Sequence, residues 1–248
     1  MLIASEGIDV SSAQHPASID WARVRAEGIS WVYCKAREGT TDHDSAFDAH
    51  VRAAHGARLL VGAYLFFHPM TSSIRDCADR FVEQIDPYLL ELPPALDIET
   101  LCAGPGCKGH KTPATPVQLV DRAVEWCERV TSQLGRAPIV YIGDGLTATC
   151  RDAGANLAAL ARYPLWDAEY RHTETIQAPW TDVAAWQWTD GGQTGPRQLT
   201  AGLQLDRSRS PLTARDLAAL GLAASPRCVA PEITADRIAL SDPTTRNP

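Results

Sequence analysis

Short apolar runs recur along this chain with segments of helical length between them, and that alternation restricts the fold more than any other feature. The runs cover residues 3–10, 31–36, 59–67, 95–98, 138–142, 165–170, 183–188 and 203–205. Several lack the period-two pattern of a half-exposed strand, as strands covered on both faces of a parallel sheet do. Helical periodicity is expected over 18–27, 44–55, 72–90, 115–134, 152–162 and 213–220. The fourth of these opens on Thr115-Pro116, an N-cap followed by proline at the first helical position, and stops at Gly135. Eight strands with intervening helices predict a single-domain α/β chain, a (β/α) TIM-like barrel that is irregular in its second half, where helices are short or missing. Periodicity alone leaves an open, doubly wound sheet as the alternative. The barrel is expected over residues 1–224, with 225–248 as a mostly irregular C-terminal tail rich in Pro, Ser and Thr.

A net charge of −7 argues against a nucleic-acid partner, whose footprint is a basic excess. No stretch reaches the roughly 20 apolar residues of a spanning helix, so membrane insertion is not expected. Residues 1–9 have no basic segment and no apolar core before Glu6, so no Sec signal peptide is expected. The 7 cysteines are odd in number and widely scattered, unlike a disulfide framework.

Carboxylates mark the ends of several expected strands: Asp9, Asp97 with Glu99, Asp167 with Glu169, and Asp206. A buried strand ending in charge is costly unless the charge faces a cleft or a partner. In Leu96-Asp97-Ile98-Glu99 the two acids share one face, roughly 6.6–7 Å apart along the chain. Like charges that close raise the proton affinity of at least one, which suits a general acid. A strand-end ion pair explains the tripeptide equally well in isolation. Asp167 and Glu169 form a second such pair, read as rim ion pairs or acceptors for sugar hydroxyls. Tyr64, Trp166, Tyr170, Trp186 and Trp188 lie near the same strand ends, where aromatic faces stack on sugar rings or fill the barrel.

Gly7-Ile-Asp-Val-Ser-Ser-Ala-Gln14, Asp20-Trp21, Lys35-Ala-Arg-Glu-Gly39, Gly62-Ala-Tyr64, Ala95-Leu-Asp-Ile-Glu99, Leu165-Trp166 with Tyr170, Trp186-Gln-Trp188 and Leu205-Asp206 follow one another in a familiar order and spacing. In these blocks the chain resembles the glycoside hydrolase family 25 lysozymes, the Chalaropsis-type N-acetylmuramidases of bacteria, fungi and phages. The resemblance runs from about Gly7 to Leu220. It implies a flattened form of the barrel and hydrolysis of the β-1,4 bond between N-acetylmuramic acid and N-acetylglucosamine in peptidoglycan glycan strands. It further implies that Glu99 is the general acid and that Asp97 orients a substrate acetamido group attacking the anomeric carbon, a recognised exception to the two-carboxylate scheme. Asp9 and Asp206 would stabilise developing positive charge and keep Glu99 protonated. Glu38, Tyr64, Trp166, Tyr170 and Trp188 would line the substrate groove.

Two departures from the family pattern stand out. Tyr64-Leu65-Phe66 replaces the common Tyr-His-Phe, so a polar groove contact is expected to be lost or supplied by His68. Asp206-Arg207-Ser208 replaces Asp-x-Asn. In the segment 101–115, a Cys102–Cys107 disulfide is expected in an oxidising compartment, ahead of a zinc site with His110. No cofactor and no metal are expected, and a monomer is. A catalytic domain without a Sec signal suits a phage or prophage endolysin or a delivered effector, reaching the wall outside the cytoplasm by another route. A non-catalytic wall-binding barrel and a chitinase-like barrel glycosidase are the alternative readings.

Overall fold

The computed structural model describes residues 2–71, 73–101 and 113–222. In chain order the strands are β1 (Ser5–Val10), β2 (Ile29–Glu38), the two-residue β3 (Asp42–His43), β4 (Leu60–Phe66), β5 (Ala95–Ile98), β6 (Ile139–Gly143), β7 (Leu165–Ala168), β8 (Ala185–Thr189) and β9 (Asp206–Ser210). The helices are α1 (Trp21–Ala26), α2 (Phe47–Gly56), α3 (Ile74–Ile85), α4 (Pro116–Leu134), α5 (Asp144–Asp152), α6 (Leu157–Leu160) and α7 (Ala214–Ala219). The sheet runs β1-β9-β8-β7-β6-β5-β4-β2 and closes through a β2–β1 pairing, with β3 on its margin. The result is the expected α/β TIM-like barrel rather than an open sheet. Among the described residues no helix lies between β7 and β8 or between β8 and β9.

Alternation along each strand builds two apolar layers. Val32, Cys34 and Ala36, Leu65, Leu96 and Ile98, and Val140 and Ile142 face the helices. Trp31, Tyr33, Ala95, Ile139, Tyr141 and Trp166 fill the barrel's interior. There the Tyr33 and Trp166 rings lie 4.8 Å apart, and Trp31 and Tyr141 meet Trp166 edge-on. Gly7 is required by this filling, because a Cβ there would overlap the Trp31 ring. Gly7→Ala is therefore expected to cost about 1–3 kcal/mol through overpacking, read as a lower urea midpoint with an unchanged slope. A midpoint equal to that of the parent chain would show that the interior yields without cost.

Helix α4 starts and stops where its end signals lie. The Thr115 side chain accepts from the Gln118 amide, Gln118 reaches back to Thr115, and Gly135 closes the helix at φ 63°. The last strand differs from expectation. The apolar run 203–205 precedes it, and β9 begins at Asp206 and reads Asp-Arg-Ser-Arg-Ser. It runs antiparallel to both β1 and β8, so its first residue stands at the mouth where the parallel strands end. Its polar side chains are matched one by one: Arg207 and Arg209 pair with Glu6, and Ser210 donates to the Ala184 carbonyl at 2.6 Å. At the opposite face Ser5 pairs with Ser210, and Leu222 bridges to Arg136.

Helix α5 lies in a stretch that carries no strong periodic signal, and the helix expected over 152–162 is reduced to α6. Cys34, Cys77, Cys127 and Cys150 are buried free thiols. Cys102, Cys107, His110 and the tail 225–248 lie outside the described residues. No helix among the described residues is long and apolar enough to cross a membrane.

Candidate active site

The strand register brings the acids together. Phe66, Asp97, Tyr141 and Trp166 occupy neighbouring register positions across β4 to β7, all facing inward at the mouth. Asp9 faces Asp206 directly across the β1–β9 pair. These side chains open onto one cavity of about 200 Å³, lined by Asp9, Asp97, Glu99 and Asp206 together with Lys35, Tyr64, Tyr170 and Gln187 among others. The four carboxylates expected from separate segments thus converge.

Their environments differ. Asp97 is 7% exposed, and its Oδ1 atom has no hydrogen-bond partner. Burial first, then the nearby Glu99 and Asp9 charges, push its carboxyl well above the usual range, against the opposing pull of Lys35. Glu99 stands past the end of β5 with its side chain exposed at the rim. Partial desolvation raises its carboxyl, Lys35 opposes this, and Glu38 adds to it. Asp9 is buried and likewise raised, by desolvation and then by Asp206. The two carboxyls lie close enough to interact directly, and the neighbouring Asp206 charge raises Asp9 further. Asp206 is pushed up to about 6 by burial and by the Asp190 and Glu99 charges.

Asp190 behaves in the opposite way. Against the cost of burial, hydrogen bonds from Thr194 and from the amides of Gly195, Thr194 and Gly192 hold it down at about 2. This turn packs Gly195 against Tyr170 on the cavity's wall.

The raised acids bind protons more tightly folded than unfolded, where release occurs near 4. Their contribution to stability is complete below that pH and is lost as pH rises through about 6 for Asp206. Melting temperature is expected to fall by about 5 °C between pH 5 and pH 8, and by less in Asp206→Asn. A melting temperature that rises over that window would contradict the assignment.

Gln187 was not among the residues singled out from sequence. Its Oε1 accepts from the Tyr141 hydroxyl at 2.7 Å and the Tyr170 hydroxyl at 2.9 Å, which leaves Nε2 to donate to Asp9 Oδ2 at 2.8 Å. Two phenols therefore fix the amide, and the amide fixes Asp9. The available signal was a polar residue between two tryptophans on a strand, because alternation sends Gln187 inward if the tryptophans face out. Lys35 is a second such residue, within the block Lys35-Ala-Arg-Glu-Gly39. It pairs with Glu38 at 2.7 Å and lies 4.7 Å over the Phe66 ring.

Of the expected groove residues, Tyr64, Trp166 and Tyr170 line the cavity, whereas Glu38 and Trp188 do not. Glu38 is held behind Lys35, and His68 Nε2 lies 3.0 Å from its other oxygen. Trp188 faces away with Trp186 and stacks under the Arg209 guanidinium at 3.9 Å. Leu65 packs in the helix-facing layer, so its replacement of histidine leaves the groove untouched. Ser208 is fully buried and accepts from Trp166 Nε1 at 3.0 Å, a support for the cavity floor rather than a wall contact.

The second acidic pair also points away from the cavity. On β7 the inward residues are Trp166 and Ala168, so Asp167 lies on the other face, fully buried beside Asp144 and Glu169. Burial pushes Asp144 up to about 6 and Asp167 up to about 8.

Residues 8–196 match the family model described as glycosyl hydrolases family 25. Among curated proteins, Lysozyme M1 of Streptomyces globisporus is 31% identical over 194 residues, covering 77% of this chain and 63% of that protein. The chain thus spans less than two thirds of that relative's length. The N,O-diacetylmuramidase of Chalaropsis sp is 26% identical over 193 residues, covering 75% of this chain and 88% of that one. Among solved structures, the bacterial lysozyme from Streptomyces coelicolor superimposes with a TM-score of 0.71 at 28% identity, covering 88% of this chain and 97% of that one.

Proposed function

The chain belongs to glycosyl hydrolases family 25, and we propose that it is a muramidase hydrolysing the β-1,4 bond between N-acetylmuramic acid and N-acetylglucosamine in peptidoglycan. One observation carries the reading. Asp9, Asp97, Glu99 and Asp206, borne by three segments distant in sequence, share a single aromatic-walled cavity.

In this reading Glu99 donates a proton to the glycosidic oxygen as the bond breaks. Its rim position reaches a bound polymer, and the desolvation that raises its carboxyl favours the protonated form. Asp97 lies deeper and accepts from the N–H of the substrate's 2-acetamido group, turning the acetamido oxygen toward the anomeric carbon. That oxygen forms the new C–O bond as the leaving oxygen departs with the proton from Glu99. The ionised Glu99 then takes a proton from the water that opens the cyclic intermediate. Asp9, oriented by Gln187, and the facing Asp206 supply negative charge that stabilises the positive charge developing at the ring. Action on the cell wall, outside the cytoplasm, follows from this substrate. A role in phage-type lysis is one setting for it.

Mass spectrometry of digested peptidoglycan, with reducing ends labelled by borohydride, tests the reaction. New ends at N-acetylmuramic acid are expected. Ends at N-acetylglucosamine would instead mark a glucosaminidase or chitinase-like enzyme, and no new ends a binding barrel.

A further inference from the structure

The cluster of Asp144, Asp167 and Glu169 lies outside the proposed cleavage chemistry. Asp144 is the first residue of α5, Asp167 lies on β7, and Glu169 follows that strand. The register of β6 on β7 pairs Gly143 with Ala168, which sets Asp144 beside Glu169. One oxygen from each carboxylate lies within 4.8 Å of the other two. Asp167 is 1% and Glu169 4% exposed. Asp167 Oδ2 and Asp144 Oδ1 are buried without any hydrogen-bond partner. Glu169 uses Oε2 to accept from the Thr175 amide at 3.2 Å, which fixes the direction of its carboxylate.

The cationic side chain paired here is Arg171, with Nε 2.7 Å from Glu169 Oε1 and its terminal nitrogen 3.9 Å from Asp144 Oδ2. It is 65% exposed and reaches the cluster from its edge. When all three carboxylates are ionised, the single guanidinium leaves an excess of buried negative charge, which is strongly unfavourable without a partner.

We infer that these three carboxylates bind a divalent cation, and that the cation is calcium. Two positive charges cancel the excess, and the two unpartnered oxygens gain a ligand. An all-oxygen carboxylate set selects hard cations over zinc or copper. Calcium accepts an irregular set of carboxylates at its longer bond lengths, whereas magnesium demands near-ideal octahedral geometry and keeps several of its waters. Water completes the coordination from the adjoining cavity of about 380 Å³, which Asp144, Glu169 and Arg171 line. That cavity shares Glu99, Tyr141 and Tyr170 with the candidate active site. The bound ion ties the start of α5 to the segment carrying Tyr170, whose hydroxyl holds Gln187. Such a site departs from the expectation of no metal, while the ion pair expected of Glu169 is present with Arg171.

The test uses the full chain, stripped with chelator and dialysed, with calcium chloride added at constant ionic strength. Melting temperature is expected to rise by about 3–6 °C when calcium exceeds its dissociation constant tenfold, accompanied by a calorimetric binding heat. Asp167→Asn keeps the side chain's shape and is expected to lose both responses. Glu169→Gln provides the same comparison should Asp167→Asn fail to fold. Absence of a calcium response in the parent chain, or an equal response in a folded variant, overturns the site. An equal response to magnesium overturns the choice of calcium. Neither readout depends on whether the chain cuts peptidoglycan, so failure here is distinct from failure of the muramidase reading.

Discussion

Glu99→Gln is expected to lower the rate of new reducing-end formation from peptidoglycan by about 10³-fold, within the range for losing a positioned general acid. The amide keeps the size of the side chain and removes its titratable proton. Because Glu99 is exposed at the rim, fold and wall binding should survive. Pelleting with insoluble walls should therefore recover as much variant as parent chain. Lysis near the parent rate would remove Glu99 from the proton-donating role, and with it the central step of the proposed reaction.

Asp97→Asn carries the second large effect, and it separates turnover from stability. The parent carboxylate is buried with one oxygen unpartnered, among other acids that raise its carboxyl. A neutral isostere removes the buried charge, so melting temperature at pH 7 is expected to rise by about 2–6 °C. Turnover is expected to fall by about 10²–10³-fold, because a neutral amide is a weaker acceptor for the substrate's N–H than a carboxylate. The loss should fall mainly on kcat, since the interaction strengthens as the acetamido oxygen attacks. A variant that is both less stable and unimpaired in kcat would identify Asp97 as a structural residue.

Much of this architecture is readable from local signals, because each such signal has a physical cause confined to a few residues. Thr115, Pro116, Gln118 and Gly135 bound α4 without reference to the rest of the chain. The apolar run 95–98 coincides with β5, and its alternation puts Asp97 on one side and Leu96 and Ile98 on the other. What escaped was set by distant partners. Strand β9 has no apolar periodicity, because Arg207 and Arg209 are balanced by Glu6 and Ser208 by Trp166. Its direction is a property of closure rather than of its own residues. Trp188 shows the same limit: period two states that it shares a face with Trp186, but not which face. Only the inward Gln187, caught between two phenols and Asp9, decides that.

The reversed final strand has a practical corollary. It carries the chain away from the mouth, so that Ser5 meets Ser210 and Leu222 meets Arg136 on the far side of the barrel. A bead, fluorophore or second module attached at Ser5 or at Leu222 itself would sit on the face opposite the mouth, leaving the front to a long glycan.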